Sequence, residues 1–182
     1  MYKRQGQWIW DIRQEPPGLG IAAAAAAGLS NRRLLLVGTD MAIGKMTAGL
    51  EIWHAARQAG IAAEFVAPGQ IGIVITGHGI PLDAIRVDYA CGAVEKEVLA
   101  VKDADLVIVE GQGSLAHPGS TSTLPLIRGA CPTHLILCHR AGMTTLDTVR
   151  ANSIRVPPLL DLIHLYETLA SCLLYTSPSP RD

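Results

Sequence analysis

Lys45 is the first residue in this chain whose surroundings specify a chemistry. It closes the stretch Gly38-Thr39-Asp40-Met41-Ala42-Ile43-Gly44-Lys45, which follows the apolar run Leu34–Val37 and leads into Met46 and Thr47. A strand, a glycine loop and a helix start would aim several backbone N–H groups at one point, at the positive end of the helix dipole. Phosphate oxygens suit such a nest, and the Lys45 ammonium can reach the outer phosphates as a point charge. Two details depart from the usual phosphate loop. Five residues rather than four separate Gly38 from Gly44, and Met46 stands where a Ser or Thr normally faces a magnesium ion. Thr47 carries a hydroxyl one place later. The expected phosphate-holding set is Gly38, Thr39, Asp40 and Ile43 from the loop, then Gly44, Lys45, Met46 and Thr47 from the helix start.

A second stretch, Asp105-Leu-Val-Ile-Val-Glu-Gly-Gln-Gly-Ser114, places Glu110 directly after a buried-type apolar run. A carboxylate there is the Walker B arrangement, in which an acid faces the metal of a bound nucleotide. Gly111 and Gly113 would let the backbone pass close to a ligand. Thr47 and Glu110 are the magnesium candidates, and Lys45, Glu110 and His117 the catalytic ones. His117 and His139 both follow strands, where an imidazole serves as a general base or simply packs into a loop. Asp83 belongs to the same weaker tier. Asp88 and Glu95, two helical turns apart, share a face that solvation explains equally well. Cys138 beside His139 points the opposite way along a strand and reads as core.

The rest of the chain must position these groups. Leu34–Val37, Ala63–Ala67, Leu106–Val109 and His134–Cys138 read as buried strands, and Lys45–Ala59, Asp88–Ala100 and Pro158–Ala170 as helices. Leu50, Trp53, His54 and Arg57 recur at helical spacing in the first helix; Leu159, Leu162, Ile163 and Tyr166 are expected to face inward in the last. Ile71–Ile75 is a short apolar run between glycines. Strands alternating with helices imply an α/β three-layer sandwich of the P-loop NTPase type, with a mostly parallel sheet. Ligands then bind beyond the carboxyl ends of the strands, at the loops after Val37, Ala67, Val109 and Cys138. Ahead of this core, Trp8–Arg13 alternates like a short strand, Pro16-Pro17-Gly18 breaks it, and Ala22–Ala27 reads as a connector.

Composition bounds the function classes. Of 182 residues 49% are hydrophobic and the formal net charge is −1, enough for a core and without the basic excess of a nucleic-acid binder. The longest apolar run, Ile21–Gly28, is too short to span a bilayer. Cys91, Cys131 and Cys138 form no CxxC pair, which fits a cytoplasmic enzyme better than a disulfide framework or a zinc site. A small-molecule substrate is the expected partner, with neither nucleic acid nor membrane; self-association is left open. Met1–Gln5 and Cys172–Asp182 back-translate to complementary strands of one DNA element, so both are expected to be translated adapter sequence. On that reading residues 34–171 form the P-loop domain and residues 6–33 lead into it.

Gly-Thr-Asp-x-x-x-Gly-Lys resembles the dethiobiotin synthetase and cobyrinate-amidase branch of P-loop proteins, whose aspartate helps to hold magnesium. Asp40 matches it. A closer resemblance spans Ile9 to Ala170. Ile9–Arg13 before a proline pair, Val37-Gly-Thr-Asp, Gly44-Lys-Met-Thr47, Val109-Glu-Gly-Gln-Gly-Ser-Leu-Ala-His-Pro118 and Leu137-Cys-His139 resemble the D-glutamate N-acetyltransferase-like family. That resemblance implies a preceding Rossmann-like domain, with residues 6–33 as its exit, and a core cut short at its C-terminal end. It also implies acetyl transfer from acetyl-CoA to the amine of an acidic D-amino acid, with the segment alone inactive. Glu110 or His117 would be the base and Lys45 would bind phosphate. The rival expectations are a magnesium–ATP-dependent ligase of dethiobiotin-synthetase type, with ATP in the same loop, and a nucleotide-binding switch protein.

Overall fold

A computed structural model describes residues 2–4, 6–147 and 154–174. The stretch after Leu174, most of the expected C-terminal adapter sequence, lies outside the described residues. Six strands and five α-helices follow in order: β1 (Tyr2–Arg4), β2 (Gln7–Ile9), β3 (Arg32–Gly38), α1 (Lys45–Gln58), β4 (Ala63–Val66), α2 (Gln70–Thr76), α3 (Val87–Ala100), β5 (Leu106–Val109), α4 (Thr123–Ala130), β6 (His134–Cys138) and α5 (Leu159–Leu174). The first two form an antiparallel hairpin. The other four form one all-parallel sheet in the order β4-β5-β3-β6. None of the described helices is long and apolar enough to cross a membrane.

The alternation of side chains along β3 explains the layers. Leu35 and Val37 point with Val107 and Val109 of β5 into a core completed by α3, α4 and α5. Leu36 points the other way, with Phe65 and Ile108, against α1 and Ile73 of α2. Both faces of the central strands are thus covered, as continuous apolar runs in a parallel sheet require. Because β3 lies between β5 and β6, the loop leaving β3 and the loop leaving β5 emerge side by side.

Several local expectations need correction. The alternating run Trp8–Arg13 is strand only as far as Ile9, because the Asp11 carboxylate accepts hydrogen bonds from Arg13 N and Gln14 Nε2 and turns the chain. The apolar run Ile71–Ile75 is part of α2, stopped by Gly77 at φ 79°. Helix α4 had no counterpart in the sequence pattern. In α1 the inward stripe is Lys45, Gly49 and Ala56, with His54 and Arg57 exposed; in α5 it is Leu162, Tyr166 and Ala170, and Leu159 is exposed. Asp88 is exposed as a solvated face requires, but Glu95 is buried and accepts hydrogen bonds from Ala23 N at 2.9 Å and Ala25 N at 2.6 Å. The alanine connector is therefore held by one carboxylate 70 residues further along.

Candidate functional site

The chain leaves β3 at Gly38 and turns through Thr39–Gly44 into α1. Gly44 has φ 98°, a left-handed conformation that glycine takes without steric cost. Gly38 is glycine for a different reason: a Cβ there would lie 2.8 Å from Ile43 Cδ1 and 3.1 Å from Lys45 Nζ. Lys45, only 5% exposed, folds its ammonium back into the loop and donates to the Asp40 carbonyl at 2.8 Å. Burial lowers its pKa, while Cys138, Asp40 and Glu110 pull it back up. A buried cation whose hydrogen-bond partner is a neutral carbonyl is set up to take an anion.

Two buried carboxyl groups flank this loop, in opposite circumstances. Asp40 is fully buried; one oxygen accepts from Met41 N at 2.6 Å and the other from Asp147 N at 2.7 Å. His117 Nε2 lies 4.0 Å from Asp40 Oδ1. Its Nδ1 accepts from Gly119 N at 3.0 Å, so the ring proton is assigned to Nε2, which donates to the Asp147 carbonyl at 3.2 Å. Asp40 and His117 together pin Asp147 against the phosphate loop.

Glu110, where β5 ends, is 4% exposed. Its Oε1 accepts from Gln112 Nε2 at 3.1 Å, and its Oε2 has no hydrogen-bond partner. Burial pushes its pKa up from 4.5 to about 7, with the Lys45 ammonium pulling the other way. The carboxyl group fits only because the first turn of α2 carries Gly72, where a Cβ would lie 2.4 Å from Oε2. The next residue, Gly111, passes so close to β3 that a Cβ would meet the Leu36 carbonyl oxygen at 1.7 Å and Lys45 Cδ at 2.8 Å. No side chain fits at position 111.

These pieces enclose a cleft of about 690 Å³ at the carboxyl edge of the sheet. Met41–Thr47 form one wall, Pro68–Ile71 with Leu82 and Asp83 the other, and Glu110–Gly113 with Ser122 the floor. Of the expected site residues, Ile43, Gly44, Lys45, Met46, Thr47, Glu110, Gly111 and Gly113 line it together. Gly38, Thr39 and Asp40 lie behind the loop and His117 lies outside the lining. His139 borders a separate hollow with Thr144 and Arg155, its Nδ1 3.1 Å from Thr39 Oγ1. Of the four loops expected to matter, three build the cleft. The fourth, after β6, supports it through Asp147 and through Arg140, which donates to the Ala42 carbonyl. Asp83 sits on the rim, paired with Arg13 and accepting from Gln70. Gln70 and Gln112 escaped the sequence reading, although each is flanked by glycines or proline in a strand-end loop, which was the available signal.

The loop suits an anion. Of the three magnesium candidates, Asp40 has both oxygens on backbone N–H groups, Glu110 is buried, and Thr47 is an exposed lining residue. Among the described residues no three His, Cys, Asp or Glu side chains converge as metal ligands. The loop amides and the Lys45 ammonium, by contrast, suit phosphate oxygens.

Comparison with known proteins agrees with the fold. Two curated relatives, both named D-glutamate N-acetyltransferase, are 36% identical over 137 residues (Pseudoalteromonas sp) and 38% identical over 140 residues (Tritonibacter scottomollicae). The matches take in 75% and 76% of this chain but 41% of each relative, so the chain spans about two-fifths of their length. A DUF1611 family protein from Anabaena variabilis ATCC 29413, solved at 2.30 Å, superposes with a TM-score of 0.88 at 53% identity. That superposition covers 93% of this chain and 49% of the solved one. The family model described as "Domain of unknown function (DUF1611_C) P-loop domain" matches residues 20–174, and the chain belongs to that family.

Proposed function

We propose that this chain is the phosphate-holding domain of an N-acyltransferase that moves an acetyl group from acetyl-CoA to the amine of an acidic D-amino acid. The observation that carries the reading is Glu110: a buried carboxyl group with one unpartnered oxygen and a pKa of about 7, on the floor of the cleft that Lys45 lines. Amide formation from an ammonium substrate needs an acceptor for a proton at neutral pH, and a carboxylate tuned to that range is matched to it. Acetyl-CoA would supply the activated acyl group, and its pyrophosphate matches the loop amides and Lys45. Lys45 then exchanges the Asp40 carbonyl for a phosphate oxygen, and Gln112 holds Glu110 by Oε1, leaving Oε2 to take the proton. His117 is assigned no proton transfer, because both its ring nitrogens are engaged by backbone groups.

The names of the curated relatives support the same class of reaction. The rival is a magnesium–ATP-dependent ligase, for which the same loop would hold ATP. Calorimetry of a full-length relative with acetyl-CoA and with magnesium–ATP separates the two. Acetyl-CoA binding at micromolar strength without ATP binding is expected, with Lys45→Ala abolishing it. Binding of ATP alone would replace the acyltransferase with the ligase.

A further inference from the structure

Tyr166 lies on α5, on the face of the sheet opposite α1, and is buried to 1% exposure. Its hydroxyl is the meeting point of both site loops. It donates to the Gly38 carbonyl at 2.9 Å and accepts from Leu115 N at 3.0 Å. Gly38 is the first residue of the phosphate loop, and Leu115 belongs to the loop that runs on from Glu110 through Gly113. Beyond the strand ladder, one oxygen thus ties the loop carrying Lys45 directly to the loop carrying Glu110.

The geometry points to Tyr166 as a positioning residue: its hydroxyl holds the phosphate loop and the Glu110 loop at the separation that lets one ligand touch both. The proposal rests on reading the cleft as a phosphate site. A hydroxyl suits this task because it donates and accepts at once, satisfying a buried carbonyl and a buried N–H with a single atom. Without it both groups are orphaned in the core, and each loop must shift to find a partner. The expected consequence is a change in the distance between the two ligand-contacting loops, with the fold kept. The Leu126, Ile127 and Leu162 packing around α5 needs no hydroxyl, and phenylalanine fills the same ring volume.

The test compares wild type, Tyr166→Phe and Leu162→Val, the last a packing change on the same helix that leaves the hydroxyl in place. Two quantities are read: affinity for acetyl-CoA and for magnesium–ATP by calorimetry, and amide hydrogen exchange at Leu115 in the ligand-free protein. For Tyr166→Phe, Leu115 should exchange at least tenfold faster. Whichever ligand the wild type holds should bind about tenfold more weakly, while Leu162→Val keeps wild-type affinity. Faster exchange with unchanged affinity would reduce the hydroxyl to a structural tie and overturn the proposal, as would an equal loss in Leu162→Val. Unchanged Leu115 exchange would also sink it. If the wild type binds neither ligand, the functional reading fails on that result, and the inference about a shared ligand falls with it. The exchange data then report separately whether the hydroxyl still ties the loops.

Discussion

The two loops that leave β3 and β5 are neighbours in space, and each carries a buried acid, yet the acids are treated in opposite ways. Asp40 has a backbone N–H on each oxygen, reaching as far as Asp147. Glu110 has one side-chain amide on one oxygen and nothing on the other. The saturated acid holds the loop in shape; the half-satisfied one keeps a site for a proton. Glu95 makes a useful third case, buried like the others and saturated by two backbone N–H groups far from the cleft. Burial alone therefore does not make an acid chemically available; the missing partner does.

The sharpest test of this contrast is Glu110→Gln at the matching position of a full-length relative. Acyl transfer should fall by roughly 10²–10⁴-fold, the usual contribution of a positioned general base. A fall of less than threefold in kcat/KM would show that the unpartnered oxygen has no part in the chemistry. The same exchange at Asp40 should act on stability instead. Asp40→Asn turns one acceptor into a donor facing a backbone N–H, at a cost of about 2–3 kcal/mol in urea unfolding.

The pH dependence separates the acids further. Because the folded-state pKa of Glu110 is raised from 4.5 to about 7, the folded protein binds more protons there than the unfolded chain between those values. This group's contribution to stability therefore falls as pH rises from 4.5 towards 7, and its destabilising effect is complete above that. Glu110→Gln should remove that slope and raise the melting temperature at pH 8, by the equivalent of about 3 kcal/mol. A Glu110→Gln melt that tracks wild type from pH 4.5 to 8 would mean the carboxyl group is not held near neutrality. The smallest effect belongs to Glu95→Gln, which keeps one acceptor for the connector and should cost about 1 kcal/mol without altering ligand affinity.

The phosphate loop was legible in the sequence because its chemistry is contiguous: strand, glycines and lysine fall within a dozen residues. The parallel sheet was legible for a related reason, since buried strands announce themselves as unbroken apolar runs. At Asp40, by contrast, the sequence does not show the second N–H, which the distant Asp147 supplies. Nor does it show the Gly119 N–H on His117 Nδ1, and Glu95 reads as solvated until the connector folds onto it. In each case the deciding partner is a backbone group, which no residue letter encodes. Helix α4 was missed because Pro125 and Gly129 weaken its pattern, and tertiary packing against α3 overrides that local weakness.

The strand that ends in the phosphate loop also governs how this chain can be made. β3 is clasped by β5 on one side and β6 on the other, and the Arg33 N–H finds the Thr133 hydroxyl 100 residues later. A ribosome releases Leu34–Val37 first. At roughly 5–20 residues per second, several seconds pass before the last of its neighbours emerges. Until β5 and then β6 emerge, this apolar stretch lacks its full ladder, and local contacts cannot shorten the wait. Yield in a cell should then depend on the chaperones that shield nascent chains and on the speed of translation, however stable the finished fold proves to be.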